Sequence, residues 1–229
     1  MINRIICFIL FIILTSINSY AQSVKVKASY KYLLYLPKNY SKQKEKFPLV
    51  IYLHGGSQRG NDLNKLKTYG LPGLVDKGHN YKFIIASPQC PENKTWTTEN
   101  WFDYLYQDLL MKYNIDTNRI YVTGISIGGF GTYEVAMDNP DKFAALVALC
   151  GGCNDSTKIC LLKNIPVWAF HGTADSLISI NETETVVRQL KKCNGNIKFT
   201  RLQNKGHALQ YLYEDETIYK WMLQQKKTN

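Results

Sequence analysis

Hydrophobic and polar positions along this chain sort into two kinds of segment. Short continuous apolar runs at residues 49–53, 83–87, 120–123, 144–149 and 167–170 have the form of strands buried on both faces. Residues 198–202 predict one more strand after them. Between the runs lie segments of helical length and spacing at 101–113, 128–137, 184–192 and 217–224. Ahead of the series, residues 24–28 and 31–36 predict an antiparallel pair that stops at Pro37. Strand and helix in alternation predict an α/β fold, a mostly parallel sheet with helices on both faces. In such sheets ligands bind outside the carboxyl ends of the strands, so the chemistry is sought just after each run.

The first segment has a different pattern. Residues 1–4 are short and basic, residues 5–14 are unbroken apolar, and Ser19-Tyr20-Ala21 supplies small residues before Gln22. That order predicts a signal peptide cleaved after Ala21, too short in its apolar part to span a bilayer. Residues 22–229 then form one domain, with no Pro-rich or Gly/Ser linker and no internal repeat. The product is expected to be exported, periplasmic or secreted, with no stable membrane anchor.

Composition narrows the picture little further. At 45% hydrophobic and 20% charged residues the chain is globular, which excludes disordered and collagen-like classes. The net charge of +10 is scattered in small clusters without a nucleic-acid motif, so it predicts a solvated basic surface and no nucleic-acid partner. Loss of residues 1–21 removes Cys7 and turns an even set of cysteines into Cys90, Cys150, Cys153, Cys160 and Cys193. Export permits disulfides. Cys150 and Cys153 form a C-x-x-C without the second pair a zinc site needs, and the local bridge expected is Cys153–Cys160.

Chemistry enters after the run at 120–123. Gly124-Ile125-Ser126-Ile127-Gly128 is a G-x-S-x-G between a predicted strand and a predicted helix, the setting that exposes a serine hydroxyl on a tight turn. A serine needs a base, and four histidines are available. His79 lies in a polar loop, and His54 and His171 each precede a glycine at a strand end, where a histidine braces a turn. His207 follows the last strand, as the order Ser, Asp, His requires. Asp175, just past the run at 167–170 and on a strand expected beside that of the nucleophile, is the acid that would orient the His207 ring. Asp141 and Asp155 are the rivals, one a turn residue and the other in the cysteine loop. The oxyanion donors expected are the backbone N–H groups of Ile127 and of Gly56 in His54-Gly55-Gly56-Ser57, with Gly55 and Ser57 as the alternatives to Gly56. Trp96, on the long loop 88–100, is expected to stack a sugar or phenolic ring, whereas Trp101, Trp168 and Trp221 read as core.

These motifs together resemble the α/β-hydrolase superfamily, and within it the small exported esterases and predicted peptidases related to feruloyl esterases and dienelactone hydrolases. The resemblance is carried in order by Tyr32 to Pro37, Leu53-His54-Gly55-Gly56 with Arg59 to Leu63, Ser87-Pro88-Gln89-Cys90-Pro91, Ile115-Asp116 with Arg119-Ile120-Tyr121, and Gly124 to Gly129. It continues through Cys150-Gly151-Gly152, His171-Gly172 with Asp175, and Gly206-His207. It implies a serine hydrolase using Ser126, Asp175 and His207 without metal or organic cofactor, and the protein is expected to be a monomer. The chain departs from its relatives at Ser57-Gln58, where they often carry Gly-Glu-Arg-Gly around this position, and at Ala208-Leu209-Gln210, where many have a tryptophan. The short link between the runs at 144–149 and 167–170 leaves no room for a lid. An open site of this kind is expected to release acyl groups such as acetyl or feruloyl from polysaccharide or small esters. The alternatives are a serine peptidase of the prolyl-oligopeptidase type and an inactive carbohydrate-binding module.

Overall fold

The computed structural model describes residues 30–41 and 45–227. Seven strands form one sheet: β1 (Tyr32–Tyr35), β2 (Phe47–Leu53), β3 (Ile84–Pro88), β4 (Ile115–Ile125), β5 (Ala145–Leu149), β6 (Val167–Gly172) and β7 (Ile197–Leu202). Their order across the sheet is β1-β3-β2-β4-β5-β6-β7, with β1 antiparallel to β3 and every other pair parallel. Among the described residues four α-helices lie between strands, α1 (Gly70–Asp76), α2 (Trp101–Lys112), α3 (Ile127–Asp138) and α4 (Ile180–Lys192), and α5 (Glu216–Gln224) follows β7. This is the α/β-hydrolase architecture.

Two apolar layers explain why the central strands read as unbroken runs. On β2, Leu49, Ile51 and Leu53 pack with α2, α3 and α4 on one face, while Val50 and Tyr52 pack with α1 and α5 on the other. The same alternation sends Leu146 and Ala148 of β5 one way and Ala145, Val147 and Leu149 the other. Each fully buried aliphatic side chain contributes about 1.5–3 kcal/mol, so the register of these strands is fixed by both faces at once. The link from Leu149 to Val167 carries only a 3-10 segment, Ser156–Leu162, and no lid domain is inserted there.

Two expectations are revised, the place of β6 and the disulfide. β1, within the expected 31–36, pairs antiparallel with β3 along one edge, Tyr32 opposite Pro88 through Tyr35 opposite Ile85. Residues 24–28, like the signal peptide at 1–21, lie outside the described residues. The strand leading to Asp175, β6, is not the neighbour of β4, since β5 lies between them. The bridge joins Cys160 to Cys193, Cα atoms 5.8 Å apart, and not Cys153 to Cys160. Cys193 at the end of α4 is brought to Cys160 by packing of that helix, a contact 33 residues distant in sequence. Cys90, Cys150 and Cys153 are free thiols. In the chain lacking residues 1–21, alkylation under denaturing, non-reducing conditions is expected to modify those three and spare Cys160 and Cys193. Peptide mapping that finds Cys153 protected would overturn the pairing.

Candidate active site

The site grows from the end of β4. Ser126 follows Ile125 with φ 60° and ψ −123°, a left-handed conformation unfavourable for a residue with a side chain. The turn persists because its surroundings fix it. Ser126 N donates to Leu149 O at 2.9 Å, and Phe130 N donates back to Ser126 O at 3.1 Å as α3 begins. Gly124 and Gly128 permit the close approach. A Cβ on Gly128 would lie 2.0 Å from the Leu53 carbonyl oxygen, and one on Gly124 would lie 2.2 Å from that of Gly128. The helix that starts at Ile127 directs its positive end at the turn.

His207, beyond β7, reaches the serine from the opposite side. Its Nε2 lies 2.9 Å from Ser126 Oγ, and its Nδ1 lies 2.7 Å from Asp175 Oδ2. Asp175 sits in the loop between β6 and α4 with a fully buried side chain. Its Oδ1 accepts from the backbone N–H groups of Leu177 and Ile178, each at 2.9 Å. Burial pushes the Asp175 carboxyl up, but the N–H groups of Ile178, His207 and Leu177 outweigh it and hold the carboxyl below its ordinary range. Cys150, at the end of β5 with φ 48°, completes the surroundings: its thiol donates to His207 O at 3.5 Å. Burial, reinforced by the Asp175 charge, pushes that thiol up, so it stays protonated.

The loop after β2 faces the same serine. A Cβ on Gly55 would lie 3.6 Å from Ser126 Cβ and 3.0 Å from the Tyr69 hydroxyl. That hydroxyl lies 2.9 Å from Ser57 Oγ. Burial pushes the Tyr69 hydroxyl up, against the opposing effect of Ser57 and the Gly55 backbone. Gly56 opens a 3-10 turn whose carbonyl accepts from Arg59 N at 3.3 Å and Arg59 Nε at 3.2 Å. Behind the loop, His54 is fully buried. Cys90 N donates to its Nε2 at 3.0 Å, so the ring proton is on Nδ1, which donates to Gly55 O at 2.7 Å. Burial lowers the His54 imidazole to about 4, helped by the nearby Arg59 charge and opposed by the Gly55 carbonyl.

Trp96 is not where the sequence suggested. Its ring is 3% exposed, edge-on to Trp101 and His54 and tilted against Tyr30, and its Nε1 donates to His54 O at 3.2 Å. No open ring face remains for a sugar or a phenol. Its three threonine neighbours, Thr95, Thr97 and Thr98, gave the segment the polarity of an exposed loop. In the fold they pair with one another at the surface and the indole turns inward. Tyr69 carried no motif that marked it for this site, and Cys150 and His171 stood in motifs of the resemblance without a task assigned at Asp175.

Among the described residues, one group brings metal-ligand atoms together: Cys150, Asp175 and His207, all within 4.8 Å of one another. The 2.7 Å between His207 Nδ1 and Asp175 Oδ2 is shorter than the roughly 3.3 Å that separates two ligands on tetrahedral zinc. That spacing suits a shared proton.

A serine at a strand-to-helix turn, a histidine after the last strand and a buried carboxylate after β6, on a seven-stranded mostly parallel sheet, define a member of the α/β-hydrolases. The chain belongs to the phospholipase/carboxylesterase family, whose profile matches residues 95–213. It is 27% identical over 150 residues to a bifunctional acetylxylan esterase/xylanase of Neocallimastix patriciarum, covering 63% of this chain and 22% of that one. With feruloyl esterase D of Neurospora crassa it shares 29% identity over 168 residues, 66% of this chain and 55% of the relative. The chain thus spans between about a fifth and just over half the length of these curated relatives. The crystal structure of a thermostable esterase superposes with a TM-score of 0.73 at 28% identity, over 86% of this chain and 59% of that one.

Proposed function

We propose that the protein is an exported serine carboxylic ester hydrolase that removes acyl groups, such as acetyl or feruloyl, from polysaccharide-linked or small esters. The observation that carries this is the continuous chain from Ser126 Oγ through His207 to Asp175, at 2.9 and 2.7 Å. In this mechanism His207 Nε2 takes the Ser126 proton as Oγ attacks the ester carbonyl. The resulting imidazolium is stabilised by Asp175, which stays ionised. The oxyanion is held by the N–H groups of Ile127 and Gly56. His207 then returns the proton to the leaving alcohol, and the same base activates water to release the acid from Ser126.

Support for the substrate class comes from two sources. The short β5–β6 link leaves the serine without a lid, which suits an acyl group projecting from a polymer. The curated relatives are named for acetylxylan and feruloyl ester cleavage. Export rests on the pattern of residues 1–21, and no helix among the described residues is long and apolar enough to cross a membrane.

The test is twofold. A fluorophosphonate probe is expected to label the protein and to fail on Ser126→Ala. Equal labelling of both would reject Ser126 as nucleophile. A panel of acetyl, feruloyl and longer acyl esters, with acylated polysaccharides and peptide amides alongside, is expected to show turnover of short acyl or feruloyl esters and little of amides. Faster amide cleavage would replace the esterase by a peptidase using the same three residues.

A further inference from the structure

His171 is a wholly buried ionisable side chain to which the proposed mechanism gives no task. It lies on β6, four residues before Asp175. Its Nε2 faces two groups that only accept, Ile178 O at 3.0 Å and Asp175 Oδ2 at 3.3 Å, so that nitrogen carries hydrogen. Its Nδ1 lies 2.7 Å from Oγ1 of Thr183, a buried residue of α4, and that hydroxyl is 2.5 Å from Gly151 O. Gly151 in turn abuts the nucleophile helix: a Cβ on it would lie 2.5 Å from the Gly129 carbonyl carbon.

We propose that His171 is a positioning residue for the site: it holds the Asp175 carboxylate, and through it the His207 ring, at the setting that faces Ser126. The inference rests on the serine-hydrolase reading and adds a residue to it. Asp175 Oδ1 is fixed by two backbone N–H groups, but Oδ2, the oxygen that meets His207, has no backbone donor in that set. His171 Nε2 donates its hydrogen to Ile178 O at 3.0 Å, in the turn whose N–H groups bind Oδ1, and stands 3.3 Å from Oδ2, so the ring fixes the turn that presents this oxygen to His207. The ring cannot drift, because Thr183 holds its other nitrogen and is itself tied to the Gly151 loop beside α3. A residue that merely filled space would need neither polar partner.

The experiment compares His171→Asn with His171→Gln, using turnover of whichever ester the panel identifies. The asparagine amide ends near the position of Nδ1 and keeps a partner for Thr183, but it falls short of Asp175. The glutamine amide extends to the position of Nε2. His171→Asn is expected to lower kcat on the order of 10- to 100-fold, the scale of a small misplacement of a catalytic group, with KM changed less than about threefold. His171→Gln should recover to within about fivefold of wild type. On an Asp175→Asn background, His171→Asn should cost less than about threefold, because the carboxylate through which it acts is gone. The inference is overturned if His171→Asn stays within twofold of wild type, if both substitutions lose activity equally, or if the loss is as large on the Asp175→Asn background. Should His171→Asn not fold, Thr183→Val decides, with a loss of several-fold in kcat expected only where Asp175 is present. Activity surviving in Ser126→Ala would instead reject the underlying site, whatever the His171 variants do.

Discussion

Alanine at Ser126 is expected to lower kcat on a short-chain acyl ester by about 10⁴- to 10⁶-fold while leaving KM within severalfold, the scale at which serine hydrolases lose turnover without their nucleophile. The geometry explains the size. In the proposed mechanism Ser126 Oγ forms the acyl bond, and its left-handed turn is held by Leu149 O and by the glycine contacts with Leu53, none of which involves the hydroxyl. The variant should therefore fold normally and bind substrate. His207→Ala is expected to cost about as much, and the double variant little more than either alone, because the two groups act in one proton transfer. Asp175→Asn should retain the fold yet lose roughly 10⁴-fold, since an amide facing Nδ1 favours the wrong tautomer. Steady-state kinetics on the four purified proteins, with thermal melts as controls, reads all of this. A Ser126→Ala protein within tenfold of wild type, or strictly multiplicative losses for Ser126 and His207, would dismantle the proposed mechanism.

The strands buried on both faces were the most legible part of the fold, because β2, β5 and β6 have no polar residue to interrupt their runs until the chain reaches His171. Their neighbours were less so. β4 begins at Ile115, but Asp116, Thr117, Asn118 and Arg119 are half-buried at its start, where the register with β2 shifts, and give this part the composition of a loop. α1 was missed because Gly70, Pro72 and Gly73 are turn residues. Pro72 is tolerated in the first helical turn, and Gly70 takes φ 72° against the Tyr52 ring.

For the site, chain order was enough to single out Ser126, Asp175 and His207, since each follows its own strand and the parallel sheet places all strand ends on one edge. What surrounds Asp175 was not legible. Cys150, His171 and Thr183 come from β5, β6 and α4, and only the lateral order of the strands and the docking of α4 bring them to one carboxylate. Trp96 failed for a related reason: whether a loop tryptophan faces out or in depends on Tyr30, Trp101 and His54, which are distant in sequence or carry no sign of their orientation.

Acidification is expected to cost the protein about 3 kcal/mol of stability through His54 alone. The folded-state imidazole is lowered to about 4 by burial, whereas in the unfolded chain it returns to its ordinary 6.5. Above pH 6.5 the ring is neutral in both states and its contribution is fully present. As pH falls from about 6.5 towards 4, the unfolded chain binds a proton that the folded one refuses, so stability declines by up to about 1.4 kcal/mol per pH unit. Below about 4 the folded ring is protonated too and the loss from this residue stops growing. The low value follows from a fixed tautomer as well as from burial, because protonating Nε2 would expel the Cys90 N–H that it accepts. The Gly55 carbonyl stays bonded, because Nδ1 donates to it in either form of the ring. Denaturant midpoints measured between pH 7 and 4 should fall more steeply for wild type than for His54→Gln. If that variant does not fold, an NMR titration of the His54 ring in the wild-type protein should show a midpoint near 4. Parallel pH dependence in the two proteins, or a ring midpoint near 6.5, would remove His54 as the source of acid sensitivity.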